Sequence, residues 1–143
     1  MEEFSLATKI YAGAGAVSAL RDFGAKRLLV VTDPFFMENG TAQRVARCAG
    51  AAETAYFDAV RRDATVALAA EGTAKLKRFR PDLLVALGGG SAMDCAKAMA
   101  YFAQGTFPLV AIPTTSGSGS EVTDFAILTY GRARHPLVDG RLR

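Results

Sequence analysis

The run Leu87-Gly88-Gly89-Gly90-Ser91-Ala92-Met93-Asp94-Cys95-Ala96-Lys97 sets three glycines between an apolar stretch and an alanine-rich one. A strand that turns on glycine straight into a helix leaves the first backbone N–H groups of that helix free, at the positive end of its dipole. Such a turn binds anions. The missing Cβ atoms let a pyrophosphate approach the backbone. Ser91 offers a hydroxyl, and it is also a good helix cap. A tight turn with a serine cap and no ligand fits the same residues. The pattern is neither a Walker loop nor the Gly-x-Gly-x-x-Gly fingerprint.

Two further stretches offer compatible chemistry. Val30-Val31-Thr32-Asp33-Pro34 ends an apolar run on a carboxylate. In dinucleotide-binding folds a carboxylate there accepts hydrogen bonds from the adenosine ribose and repels a 2′-phosphate, so it favours NAD over NADP. Asp33-Pro34 is equally a turn former. The run from Ile112 to Thr123 holds Thr114, Thr115, Ser116, Ser118 and Ser120 with two glycines. It offers many hydrogen-bonding groups and little bulk, which suits sugars and phosphates. A flexible serine–glycine linker is the plainer reading, but Pro113 and Glu121 sit within the run and a strand is expected on each side.

The elements that must position these residues alternate in type. Leu28-Leu29-Val30-Val31 and Leu83 to Leu87 are continuous apolar runs, as expected of strands buried on both faces. Short strands are also expected at Lys9 to Tyr11, Thr54 to Val60 and Phe107 to Ile112. Helices are expected over Ala16 to Phe23, Thr41 to Cys48, Thr65 to Phe79 (capped by Asp63 or Thr65) and Ser91 to Phe102. Phe125 to Thr129 and His135 to Val138 pair back across Gly131. The alternation predicts an α/β fold: a Rossmann-like, open, mostly parallel sheet flanked by helices, with a short N-terminal strand and a C-terminal β-hairpin. All three motifs then fall at carboxyl ends of strands, the edge where open α/β sheets bind ligands. Residues 1–143 read as a single domain, with no internal repeat or linker.

Composition narrows the function. Half of the 143 residues are hydrophobic and 22% are charged, as in an ordinary globular domain. No apolar run approaches the length of a membrane span, and Met1-Glu2-Glu3 does not open a secretory signal. The net charge is +3. The basic residues are scattered apart from Lys75 to Arg80 and the end from Arg132 to Arg143, so no nucleic-acid face is expected. A mild positive field still suits a phosphate-bearing ligand. Cys48 and Cys95 have neither metal nor redox spacing, which points to a reduced, cytoplasmic setting. With His135 as the lone histidine, a complete zinc or iron site within the chain is not expected.

Nearly the whole chain resembles the iron-containing (group III) alcohol dehydrogenases. The specific stretches are Gly-Gly-Gly-Ser-x-x-Asp-x-Ala-Lys at Gly88 to Lys97 and Pro-Thr-Thr-x-Gly-x-Gly-Ser-Glu-Val-Thr at Pro113 to Thr123. Phe4 to Ala16, Arg27 to Pro34 and Arg134 to Asp139 also fit. The resemblance implies an N-terminal α/β nucleotide domain, followed in the family by a helical domain, with metal and substrate in the cleft between. It implies that Asp33 contacts the adenosine ribose and that Gly89, Gly90 and Ser91 hold the pyrophosphate. Asp94 falls beside the nicotinamide end. Thr114, Thr115 and Ser118 line the adenine and ribose side. Arg134 stands where the family usually has a cofactor-contacting lysine, and arginine presents its donors differently.

The family's metal ligands, one aspartate and three histidines, begin about fifty residues after the Gly-Ser loop, by that resemblance. The chain stops at Arg143, before any of them, and Asp124, His135 and Asp139 lie in the wrong segments to replace them. The resemblance therefore implies a truncated form, carrying the cofactor side of an enzyme that uses Fe2+ or Zn2+ at full length. Hydride transfer between a small primary alcohol or aldehyde and nicotinamide is the expected reaction, in a homo-oligomer, with this chain inactive alone. The start, through Ile10-Tyr11, is also similar to propanol dehydrogenases of bacterial microcompartments. The other reading is a non-catalytic nucleotide-binding or self-associating remnant.

Overall fold

Strands with apolar side chains on both faces need a covering layer on each side, and that need organises the molecule. The structure, a computed structural model, describes residues 1–142; Arg143, where the basic end of the sequence finishes, lies outside the described residues. The elements in chain order are β1 (Arg27–Val31), α1 (Pro34–Glu38), α2 (Thr41–Ala49), β2 (Glu53–Phe57) and α3 (Val66–Phe79). Then come β3 (Leu83–Gly88), α4 (Gly90–Phe102), β4 (Leu109–Pro113), β5 (Phe125–Tyr130) and β6 (Ala133–Val138). The four strands β1 to β4 pair in parallel in the order β2-β1-β3-β4.

Alternate residues of β1 and β3 face opposite layers. Leu29, Val31, Leu84 and Ala86 pack with Ala69 and Leu76 of α3 and with Met93, Ala96 and Met99 of α4. Leu28, Val30, Leu83, Val85 and Leu87 pack with Val45 and Ala49 of α2 and with Leu20. The helices thus divide between the two faces, as right-handed crossovers running in opposite directions, from β1 to β2 and then from β2 past β1 to β3, require. Beside this sheet, β5 and β6 form an antiparallel hairpin from Phe125↔Val138 to Tyr130↔Ala133. No helix of the described residues is long and apolar enough to cross a membrane.

Three local expectations need correction. Lys9 to Tyr11 is not a strand: residues 1–12 form neither helix nor strand. Phe4 and Ile10 are largely exposed, and the Lys9 ammonium sits 5.0 Å over the Tyr11 ring instead of the segment joining a ladder. Without a neighbouring strand, β propensity has nothing to pair with. Ala16–Phe23 is a 3-10 helix rather than an α-helix. Its apolar residues Val17, Leu20 and Phe23 recur every third position, which suits three residues per turn. Asp33-Pro34 opens the short helix α1, where proline occupies the first helical turn and costs no hydrogen bond.

Candidate nucleotide-binding site

β1 and β3 are neighbours, yet the chain leaves β1 towards β2 on one side and reaches β3 on the other. Such a reversal opens a crevice at the carboxyl ends of the two strands. Two residues fix its floor. Thr32 is fully buried, and its hydroxyl donates to the Leu87 carbonyl at 2.8 Å, joining the ends of β1 and β3. Asp33 follows, with its carboxylate accepting from the Phe36 N–H at 3.3 Å, so it caps α1 at the crevice edge. Gly88 has φ +149, and a Cβ there would lie 2.9 Å from the Ala92 Cβ, so only glycine fits without a shift.

The other two glycines are spoken for by the loop after β4. A Cβ on Gly89 would lie 3.1 Å from the Thr115 hydroxyl oxygen, and one on Gly90 would lie 3.2 Å from the Ser118 Cβ. The Thr114 N–H donates to the Gly88 carbonyl at 2.9 Å, which starts the loop back over the turn. Gly89 is the N-cap of α4 and makes no side-chain cap bond. Ser91 is not the cap either. It lies in the first turn of α4, and its hydroxyl donates to the Arg62 carbonyl.

Two cavities adjoin this turn. The first, about 500 Å3, is lined by Asp33, Phe35, Arg61, Gly89 and Thr115 among others. The second, about 290 Å3, is lined by Asp63, Asp94, Ser118, Ser120 and Arg134 among others. Arg62, Gly90 and Ser91 line both. The sequence-derived residues therefore divide. Asp33 and Thr115 fall in one cavity, Asp94, Ser118 and Arg134 in the other, and Thr114 lines neither.

Burial shapes the second cavity. Desolvation pushes the Asp94 carboxyl above its ordinary range, and a hydrogen bond from the Ser120 hydroxyl, at 2.7 Å to Oδ1, works against that. One turn along α4, Lys97 is 2% exposed. Its ammonium donates to the carbonyls of Ser120, Thr123 (2.8 Å) and Phe125 (3.1 Å), and to the Thr123 hydroxyl (3.2 Å). Burial pulls the Lys97 pKa down, and the charges of Asp94, Asp124 and Glu121 work against that. The crown of oxygens satisfies the buried donors. Lys97 thereby fastens the Ser120–Phe125 segment to the helix that begins at the glycine turn.

Sequence reasoning missed Arg61 and Arg62, and it placed Ser120 and Lys97 within motifs without giving either a role. Arg61-Arg62 stands just after β2, at the same carboxyl edge as the three motifs, and that position was the available signal. Among the described residues no three or more of His, Cys, Asp and Glu are grouped to hold a metal ion, and His135 is exposed on β6.

A parallel α/β sheet with a glycine turn at its crevice is a Rossmann-like nucleotide-binding fold. Residues 7–141 match the family model for iron-containing alcohol dehydrogenase, and the chain belongs to that family. It is 34% identical over 134 residues to 1-propanol dehydrogenase PduQ of Salmonella typhimurium, a match covering 90% of this chain and 36% of that enzyme. The chain thus spans about a third of that relative's length. Its fold superposes with a TM-score of 0.83 on an iron-containing alcohol dehydrogenase from Thermococcus thioreducens, at 30% identity over 98% of this chain and 44% of that one. With sulfoacetaldehyde reductase from Bifidobacterium kashiwanohense, solved in complex with NAD+, the TM-score is 0.86 at 27% identity, over 99% of this chain and 44% of that one.

Proposed function

We propose that this chain is the cofactor-binding part of an NAD-linked, metal-dependent alcohol dehydrogenase. The observation that carries this reading is the pair of cavities meeting at Gly90 and Ser91. A dinucleotide is two nucleosides joined by a diphosphate, and the site has two compartments joined at a helix N-terminus. The glycine turn fits the group: it offers backbone N–H donors with no Cβ between them and the crevice.

In this reading the first cavity holds the adenosine half, with Asp33 accepting from its ribose hydroxyls and disfavouring a 2′-phosphate. The second cavity holds the nicotinamide half, where Asp94, oriented by Ser120, accepts a hydrogen bond from the ring's substituent. Ser118 and Thr115 fold over the diphosphate, and Arg134 offsets the charge of Asp94. Bound NAD supplies a hydride acceptor; the residues of this chain bind it and orient it. The described residues contribute no ligand set for the metal that the family name implies.

The whole enzyme, in this proposal, removes a hydride from the carbinol carbon of a small primary alcohol and a proton from its hydroxyl, leaving the aldehyde. The similarity to a 1-propanol dehydrogenase supports that substrate class. We place the enzyme in the cytoplasm as a homo-oligomer, and we expect this chain to be inactive by itself.

Titration of the chain with NADH, followed by cofactor fluorescence and with ATP and a sugar phosphate as competitors, tests the binding reading. Saturable binding that neither competitor matches is the expected result. Absent binding, or tighter binding of ATP, overturns it. Metal-stimulated alcohol oxidation by the purified chain would overturn the inactivity.

A further inference from the structure

The backbone of Arg62 is held unusually firmly for a loop residue. The segment between β2 and α3 is fastened to β1 by the Val60 N–H on the Thr32 carbonyl at 3.3 Å. It is fastened to β5 by the Thr129 N–H on the Ala64 carbonyl at 2.8 Å. Thr65 caps α3 by accepting from the Leu68 N–H at 3.1 Å. Between these ties, the Arg62 carbonyl receives the Ser91 hydroxyl from the first turn of α4. The residue is thus locked beside the helix start.

Its side chain is the opposite case. Arg61 turns a guanidinium nitrogen back onto the Val60 carbonyl at 3.2 Å, but the Arg62 guanidinium makes no hydrogen bond or ion pair among the described residues. Among the described residues Arg62 is also the one charged residue that lines both cavities. Ser91 directs its hydroxyl proton to the Arg62 carbonyl, which leaves α4 with backbone donors alone to meet an anion at the seam.

We propose that Arg62 is the cation that clamps the diphosphate of the bound dinucleotide. This rests on the dinucleotide reading above and adds a residue to it. Only the linking diphosphate of such a ligand lies where the two cavities join. A guanidinium offers paired, always-charged donors that match phosphate oxygens in a fork. A fixed backbone with an unengaged side chain means that no internal contact has to break before the ligand is met.

The test compares wild type, R62Q and R62K, with NADH, NADPH and ADP-ribose titrated at low and high salt and far-UV circular dichroism on each protein. R62Q is expected to weaken NADH and ADP-ribose alike, by about tenfold or more, and to flatten the salt dependence. R62K is expected to recover part of the affinity, which a purely structural role for the residue would not predict. Equal NADH affinity in R62Q and wild type overturns the proposal while leaving the dinucleotide reading standing. A loss confined to NADPH also overturns it, because the cation would then serve a 2′-phosphate. Wild-type protein that binds none of the three ligands overturns the dinucleotide reading itself. If R62Q is unfolded, R62K alone decides: full wild-type affinity and salt dependence overturns the proposal, and a partial loss supports it.

Discussion

Thr115 closes over Gly89 so tightly that a methyl group on the glycine would stand 3.1 Å from its hydroxyl and 3.3 Å from its Cγ2. The glycine is therefore required by the loop that covers the turn, whatever the ligand requires. Gly90 stands in the same relation to Ser118. In the proposed reading the turn serves two partners, this loop within the protein and a dinucleotide outside it.

Gly89→Ala is accordingly expected to push the Thr115 loop outward and to weaken NADH by about tenfold, with a smaller change in Tm. Replacing Thr115 by glycine in the same chain should restore much of the affinity. A double-mutant cycle in NADH titrations checks this. Additive losses would mean that the contact is not what excludes the methyl group.

Asp33 caps α1, and in the proposed reading it also meets the adenosine ribose; substitution can separate the two. Asp33→Ala removes the cap of α1 and is expected to cost about 1 kcal/mol in urea unfolding. Asp33→Ser keeps a capping oxygen and removes the charge. It should hold stability near wild type while shifting preference from NADH towards NADPH. Comparative titration of the two cofactors reads the result, and an unchanged preference would remove Asp33 from cofactor selection.

Lys97→Met fills similar space but strips a buried cation from three carbonyls. The expected loss is about 3 kcal/mol, mostly from acceptors left without donors. Hydrogen exchange should show faster opening of the Ser120–Phe125 segment and the hairpin than of β1 and β3.

Asp94 gives a pH dependence with a defined sign. Its carboxyl is raised by burial, so the fold favours the protonated form. Its contribution to stability is complete below the unfolded value near 3.8 and is lost as the pH rises through the higher folded value. Asp94→Asn should remove that falling leg. Urea unfolding of both proteins from acid to neutral pH checks it; parallel profiles would contradict the raised value.

Burial pushes the Cys95 thiol up to about 12, while Cys48 is partly exposed. Iodoacetamide should therefore modify Cys48 and spare Cys95 in the folded chain, with both reacting in urea. Peptide mass mapping distinguishes the two.

The sheet was legible in the sequence because Leu28 to Val31 and Leu83 to Leu87 are apolar without alternation, a pattern that only two covered faces explain. The cap at Thr65 and the hairpin across Gly131 were legible because each rests on contacts within a few residues. The lack of a strand at Lys9 to Tyr11 was not, since pairing there depends on a neighbour that no local pattern reports. The three site motifs were visible from residue type and their shared sheet edge. Their division between two cavities was not, because Thr115 and Ser118 are close in sequence yet lie over different glycines. Arg62 escaped notice for a related reason: its place at the seam is set by a hydrogen bond from Ser91, on another element.

The strand order β2-β1-β3-β4 also governs when a site can exist at all. Every pairing in that sheet is parallel and waits for the helix between its partners, so local zippering is confined to the β5–β6 hairpin. Residues at the crevice run from Asp33 to Arg134. A growing chain therefore completes its binding crevice only when almost all of these residues have been made. On the proposed reading, free cofactor has nothing to hold until then, and it acts as a late lock on the folded state but not as an early template for it.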